Sequence, residues 1–267
     1  MSYKKIKKIY RILFPAKYSE KDVLENLLRT SKEVLEFEEM GSHYKVILSG
    51  DIELKVRNSL HSDIKVFHQI FNKRDYDLVL KMLLLNSTGS ENVIIDAGAN
   101  VGYTTLFLYN KLKNSKFFLI EPEDENFQMI VKNTSNIPSD KLKLYNCALG
   151  AEGGGTFILK RDFRDGKDWS FSTEPDSSGD IMGKSLNEII RENKLKYISL
   201  LKIDIEGAER FIFSEKSDLS FLDITQVLAI EIHDEFQIRQ VIYQKLKDHD
   251  FYLLENGDLT IGINRKL

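Results

Sequence analysis

The chain has 267 residues, 42% of them hydrophobic and 30% charged, so it is long enough to bury a substantial core. Its formal net charge of −3 argues against a general nucleic-acid-binding protein. The single cysteine, Cys147, excludes an internal disulfide framework and fits a reducing compartment, so we expect a cytoplasmic protein. No apolar run has the length that spans a membrane, and no Cys/His spacing indicates zinc.

The first residues predict a basic amphipathic helix over residues 1–14. Its apolar side chains recur at helical spacing, with lysines and Arg11 on the remaining face and Pro15 at its end. Such a helix can lie on an anionic membrane surface. We favour the alternative, in which it docks on its own domain or on a second subunit of a homo-oligomer.

Residues 1–90 are predicted to form a helical and hairpin extension before a larger domain at 91–267. The pattern predicts a helix from Ser19 to Glu39, a hairpin of Tyr44–Leu48 and Ile52–Val56, and a helix over Asp75–Leu85. We expect this extension to cover the substrate side of a site in the larger domain.

The most informative segment is Asn92–Gly102, in which an apolar run ends in Asp96 and small residues follow. With the apolar-periodic stretch after it, this order predicts a buried parallel strand, a tight turn and a helix. In an open α/β sheet a ligand binds at such a turn. Gly98 and Gly102 lack a Cβ and would allow a sharp turn and a close ligand, although many α/β proteins contain such a turn without one.

The turn does not have the dinucleotide-binding pattern. Counted from Gly98, the later glycine positions of Gly-x-Gly-x-x-Gly hold Asn100 and Tyr103, which disfavours a pyrophosphate ligand. Asp96 at the end of the strand instead suits a ligand with an ammonium group or hydroxyls.

Later apolar runs also end in polar or small residues. Glu121 lies about 20 residues beyond the glycine turn, where an acid can bind the hydroxyls of a ribose, or alternatively cap the next helix. The run Leu142–Gly150 ends in small residues, including Cys147 and Ala148, that leave room for a flat base. Two further strand segments, within Ile198–Arg210 and Val227–His233, have apolar runs that deliver polar groups, among them Asp204 and His233, to the same edge of the sheet as Asp96.

Together these motifs resemble the FkbM family of S-adenosylmethionine-dependent methyltransferases, from roughly Tyr44 to the C-terminus. The most specific motif is Lys-Ile-Asp-Ile-Glu-Gly-Ala-Glu at 202–209, whereas the turn motif at 96–102 is shared by many methyltransferases. The Glu-Pro at 121–122, the Glu-Ile-His at 231–233 and the lead-in at 62–67 with Tyr76 also fit. Asn187 departs from the family, which often has Asp there.

The resemblance implies an α/β fold of the class I methyltransferase type. It has a Rossmann-like doubly wound sheet, a C-terminal antiparallel edge hairpin at about 251–263 and the N-terminal α+β extension. S-Adenosylmethionine would be the cofactor. The residues expected to bind it are Asp96, Gly98, Asn100, Gly102, Thr104, Glu121, Cys147, Ala148 and Asp204.

The mechanism expected for a hydroxyl acceptor needs a base, because the hydroxyl pKa lies far above neutrality. His233 is our first choice, with Asp204 orienting it or binding the acceptor. A second mechanism places Mg²⁺ on Asp204, Glu231 and His233. Glu206 and Glu209 are expected to cap the following helix.

Two further predictions concern segments beside the site. Residues 150–183 read as a long polar loop with one short strand at Phe157–Leu159. We expect this loop to form a substrate lid in which Trp169 or Phe171 stacks on a sugar, unless these aromatic residues are incidental. Asp234 and Gln237 predict a capping box for a helix to about Lys247.

The preferred function is O-methylation of a sugar, glycan or other secondary metabolite. N-methylation in the same fold, or a catalytically inactive nucleotide-binding module, are the alternatives.

Overall fold

A computed structural model of the chain describes residues 19–50, 52–58, 61–86, 90–160 and 171–267. The predicted helix at 1–14 and the side chain of Trp169 lie outside the described residues. None of the described helices has both the length and the apolar character needed to cross a membrane.

The extension begins with helix α1 (Glu20–Thr30), which Ser19 and Asp22 start with a capping box. Three antiparallel strands follow, β1 (Val34–Glu39), β2 (His43–Leu48) and β3 (Ile52–Arg57). The predicted hairpin is therefore confirmed as β2 and β3, but the prediction of one helix to Glu39 is wrong. A short amphipathic run fits either structure, and here pairing of β1 with β2 makes it a strand.

The extension continues with two helical segments that lead into the larger domain. Helix α2 (Asp63–Phe67) runs on as a π-helix (His68–Lys73), and α3 (Asp77–Asn86) confirms the predicted helix there. Asp63 is fully buried and forms a 2.7 Å ion pair with Arg57 of β3, so the start of α2 is joined to the small sheet.

The larger domain contains a seven-stranded sheet in the order β13-β14-β12-β11-β4-β5-β6. Only β14 runs antiparallel to its neighbours. This confirms the class I methyltransferase topology and its edge hairpin. The strands are β4 (Asn92–Ala97), β5 (Ser115–Ile120), β6 (Leu142–Tyr145), β11 (Ile198–Ile203), β12 (Thr225–Glu231), β13 (Phe251–Asn256) and β14 (Leu259–Asn264).

The sheet is covered on both faces. Alternate residues of a strand point to opposite faces, and in β4 Ile94 belongs to one buried cluster while Val93 and Ile95 belong to the other. The first cluster also includes Leu24, Val46 and other residues of the extension, so the extension packs on that face. The helices of this domain are α4 (Tyr103–Lys111), α5 (Asp124–Asn133), α6 (Leu186–Glu192), α7 (Glu209–Ile212) and α8 (Arg239–Asp248).

Two local predictions fail in this domain. The strand predicted at Phe157–Leu159 is present within β8, but residues 150–183 are otherwise less irregular than predicted, because their described part also contributes β9 and most of β10 to a small sheet in the order β7-β10-β8-β9. The capping box at Asp234 is also wrong: α8 begins at Arg239 without a side-chain cap, and Asp234 instead accepts a 2.7 Å hydrogen bond from Arg239. The strands of the small sheet are β7 (Ala148–Leu149), β8 (Thr156–Lys160), β9 (Ser172–Pro175) and β10 (Ile181–Lys184).

Candidate functional site

The candidate site lies at the carboxyl ends of β4 and β11, where the strand order of the sheet reverses. Such a switch point is where open α/β sheets bind ligands. Two cavities adjoin here, of about 490 and 960 Å³ counting the open space at their mouths. We call them the β6-side and the β12-side cavity. Both are lined by Gly98, Asn100, Asp204 and Glu206.

Close contact with the neighbouring strand β11 explains why the turn after β4 needs a glycine. Gly98 has φ +77°, and a Cβ there would lie 1.6 Å from the carbonyl oxygen of Asp204. Glycine is thus required by the close approach of the β11 backbone, a reason that the sequence did not reveal. Gly102, with φ +83°, precedes α4, and Asn100 also adopts a left-handed conformation with φ +50°.

Glu121 lies at the end of β5 and lines the β6-side cavity. Its carboxylate accepts hydrogen bonds from the backbone N–H groups of Asn100, at 2.9 Å, and Glu123, at 3.0 Å. Burial raises the pKa of Glu121 to about 8, even though these two bonds favour the charged form. The cap of helix α5 is Glu123, which accepts from the backbone N–H of Asn126, so Glu121 is not the capping residue.

The other wall of the β6-side cavity is largely apolar. It includes Cys147, Leu149 and Phe171. Burial raises the pKa of the Cys147 thiol to about 12, which keeps it neutral. Phe171 lines this cavity, and its stacking on a sugar stays a prediction. Ala148 is buried in β7, where it pairs with Gly183.

Asp96 is buried against a lysine rather than open to a cavity. Its Oδ1 lies 3.0 Å from Nζ of Lys202, and its Oδ2 accepts a 2.8 Å hydrogen bond from Thr105. Lys202 also donates to the carbonyl oxygen of Gly98 at 2.6 Å and lines the β12-side cavity, as Thr104 does. Sequence analysis missed Lys202, although a charged residue inside the apolar run of β11 was a usable signal.

His233 is enclosed between two carboxylates. Its Nδ1 lies 3.0 Å from Oε1 of Glu209, and its Nε2 lies 3.1 Å from Oε2 of Glu206. Burial alone would lower the pKa of His233, but the two carboxylates outweigh it and raise the pKa to about 11. The imidazole side chain is fully buried, and a pKa of about 11 keeps it protonated at neutral pH. A general base, by contrast, must be neutral and must reach the acceptor.

Glu231, rather than His233, is both open to a cavity and close to neutrality in its pKa. Its side chain lines the β12-side cavity and is one quarter exposed. Burial, followed by repulsion from Asp204, raises the pKa of Glu231 to about 8. Tyr76 of the extension is buried in the wall of the same cavity, and burial raises its pKa well above the usual value, so its hydroxyl stays protonated.

The three residues whose possible ligand atoms lie together are not the three that were predicted to bind a metal. The carboxylate and imidazole atoms that lie within 4.8 Å of one another belong to Asp204, Glu206 and His233, so Glu206 takes the place of Glu231. Mg²⁺ prefers oxygen ligands, and a histidine must be neutral to bind a metal. Both ring nitrogens of His233 already lie within 3.1 Å of a carboxylate oxygen, so the cluster does not offer the oxygen-only ligand set that suits Mg²⁺, and we derive no step through a metal.

Comparison with known proteins gives the family. The Methyltransferase FkbM domain matches residues 96–259. "Methyltransferase 1" of Beauveria bassiana (strain ARSEF 2860) is 22% identical over 211 residues, which are 71% of this chain and 82% of that protein. "Methyltransferase sdnD" of Sordaria araneosa is 24% identical over 221 residues, or 70% and 81%. Magnesium protoporphyrin IX methyltransferase (ChlM) from Synechocystis PCC 6803, solved with bound SAM, aligns with a TM-score of 0.43 and 14% identity, over 78% of this chain and 84% of that one.

The family match includes the turn after β4, the end of β5 and the ends of β11 and β12, and thus the polar residues around which both cavities are built. Because it extends over more than half of the chain, the protein belongs to the FkbM family of S-adenosylmethionine-dependent methyltransferases.

Proposed function

We propose that the protein transfers a methyl group to a hydroxyl of a sugar, glycan or other secondary metabolite. The observation that carries this proposal is Glu231, a carboxylate beside Asp204 in the β12-side cavity with its pKa raised to about 8. A base is most effective when its pKa is near the operating pH. An ordinary carboxylate would be a much weaker proton acceptor.

The β6-side cavity suits the adenosine part of the cofactor. Glu121 still has acceptor capacity for ribose hydroxyls, since each of its oxygens takes only one backbone hydrogen bond. The buried Oδ1 of Asn100 has no hydrogen-bond partner within the described ranges, and it lies at the junction of the two cavities. Apolar contacts from Leu149 and Phe171 suit a flat base. When bound, S-adenosylmethionine supplies a methyl group that its sulfonium has already activated.

In the β12-side cavity, Glu231 accepts the proton of the acceptor hydroxyl as the hydroxyl attacks. Burial, with repulsion from Asp204 added to it, keeps the pKa of Glu231 high, and the walls of the cavity hold the acceptor in line. His233 acts through its neighbours: its positive charge fixes Glu206 and Glu209 at the end of β11. We therefore assign the role of base to Glu231 and a positioning role to His233.

The lining of the β12-side cavity favours a neutral, hydroxyl-rich acceptor. Gln69, Asp75 and Tyr76 come from the extension, and Asn256 and Asp258 from the C-terminal hairpin. Amide and carboxylate oxygens accept hydrogen bonds from hydroxyls, whereas acceptors with phosphate or carboxylate groups would be repelled. N-methylation of an amine is the second candidate, because the same acidic lining attracts a cationic amino group.

Labelled S-adenosylmethionine tests this proposal against three matched acceptors, a neutral glycoside, its amino-sugar counterpart and its uronic acid. We expect label in the neutral glycoside, at oxygen by NMR of the product, little in the uronic acid, and no loss of transfer with EDTA. Label only on nitrogen would favour the second candidate. Loss of transfer with EDTA and its recovery with Mg²⁺ would contradict the assignment of Glu231 as an unaided base.

A further inference from the structure

The ammonium group of Lys202 is held at the floor of the β12-side cavity with part of its hydrogen-bonding capacity unused. The side chain is 4% exposed. One N–H is directed to Gly98 O at 2.6 Å, and Asp96 Oδ1 lies 3.0 Å away. An ammonium has three donors, so a third remains for a group inside the cavity that Lys202 lines.

Asp204 places a negative charge close to this ammonium. Its Oδ2 lies 3.8 Å from Nζ of Lys202, too far for a direct hydrogen bond. Asp204 lines both cavities, whereas Lys202 lines the β12-side cavity. The two side chains thus present opposite charges next to each other at the junction of the cavities.

This arrangement complements an α-amino acid, whose ammonium and carboxylate are attached to the same carbon. The donor has such a group at the end opposite its adenine. Lys73, the other lysine of this cavity, is exposed on the rim, so Lys202 is the better placed cation. The acids that line the cavity would otherwise repel the donor's carboxylate.

We propose that Lys202 binds the carboxylate, and Asp204 the ammonium, of the amino-acid end of the donor. Asp96 and the Gly98 carbonyl fix Lys202 in place for this purpose. The proposal does not depend on the nature of the acceptor or on the base, because it concerns donor binding alone.

Calorimetry with three probes tests the proposal: S-adenosylhomocysteine, its decarboxylated form, which keeps only the ammonium, and 5′-methylthioadenosine, which lacks the whole amino-acid end. We expect the wild-type protein to bind S-adenosylhomocysteine about tenfold or more tighter than the decarboxylated form, as for a charge-assisted contact. Lys202→Met should abolish this difference and leave the affinity for 5′-methylthioadenosine nearly unchanged. Lys73→Met is the matched control and should preserve the difference.

Two results would overturn the proposal. The first is equal affinity of the wild-type protein for S-adenosylhomocysteine and its decarboxylated form, a measurement that needs no variant. The second is an equal loss for all three probes in Lys202→Met, which would mean that Lys202 only supports the turn. If that variant does not fold because Asp96 has lost its buried partner, Asp96→Asn combined with Lys202→Met removes both charges and is measured in the same way.

Discussion

The two cavities beside the Gly98–Asn100 turn hold their carboxylates in different ways. On the β6 side, backbone N–H groups hold the carboxylate of Glu121, and the adjacent walls are apolar. On the β12 side, several carboxylates come from four separate segments and repel one another. Asp204 and Asp258 both help to raise the pKa of Glu231, and burial raises that of Asp75.

We therefore assign donor binding to the β6-side cavity and proton removal to the β12-side cavity. Backbone hydrogen bonds fix a group in one position at little cost in side-chain entropy, which suits recognition of a constant donor. Burial together with repulsion from Asp204 makes Glu231 a stronger base than an ordinary carboxylate, in the cavity assigned to the acceptor, which suits removal of a proton. Substitutions on the β6 side should therefore change affinity, and substitutions on the β12 side should change turnover and its pH dependence.

The largest effect is expected for Glu231→Gln. The amide keeps the shape of the side chain but cannot accept the proton, so kcat should fall roughly 10²- to 10⁴-fold. Affinity for S-adenosylhomocysteine should stay close to that of the wild-type protein. Glu215→Gln, at an exposed site, is the control. If Glu231→Gln retained near wild-type turnover, the assignment of proton removal to Glu231 in the β12-side cavity would be wrong.

The next effect concerns stability. His233→Gln removes the positive charge between Glu206 and Glu209, and breaking a buried ion pair costs about 3–5 kcal/mol. Chemical denaturation measures the free energy of unfolding of each variant. His249→Gln is the control, since its partner Asp223 is 61% exposed and solvent screens their pair, which should contribute about 1 kcal/mol or less.

The free energy of unfolding that His233→Gln loses should become smaller as pH rises. The pKa of His233 rises from the ordinary 6.5 to about 11 on folding, so the native state binds the proton more tightly than the unfolded chain. The stabilisation is complete below pH 6.5 and declines as pH rises toward 11. A difference between the wild-type and His233→Gln proteins that grew with pH would contradict the assignment of His233 as a buried cation.

The sequence predicted the parts of the fold that depend on local pattern. The apolar strands of the main sheet and their polar ends were visible because buried parallel strands give continuous apolar runs. The run Val34–Glu39 was misassigned because six amphipathic residues fit a helix or a strand, and only pairing with β2 decides between them.

The site was predicted in part for the same reason. Glu121 and Asp204 directly follow strands and Glu231 is the last residue of one. All three were named in advance, although their roles in binding and catalysis stay predictions. The place of Lys202 depends on contact with Asp96 of a different strand. The carboxylate of Glu206 reaches His233 from a left-handed residue with φ +50°, and this backbone conformation leaves no mark in the sequence.

On the β6 side, Glu121→Gln should weaken binding of S-adenosylhomocysteine by about 1–3 kcal/mol when measured above pH 8, where Glu121 is ionised and a charge-assisted contact is lost. It should also lower thermal stability, because the amide NH₂ would face the backbone N–H of Asn100 or of Glu123. Calorimetry and thermal denaturation measure the two effects. Glu125→Gln, exposed on α5, is the control. Unchanged affinity would remove Glu121 from the donor site.

The smallest effect is a shift in a pH profile. Glu231 must be ionised to accept a proton, so kcat/KM for the acceptor should rise with pH through about 8. Asp204→Asn removes the neighbouring charge that raises this pKa, and the rising limb should therefore move to lower pH. The profile is measured at saturating donor, because the same variant is expected to bind the donor more weakly. Asp234→Asn, which removes an exposed carboxylate paired with Arg239, should leave the limb in place. A limb that stayed at the wild-type pH in Asp204→Asn would mean that repulsion within the β12-side cavity does not set the strength of the base.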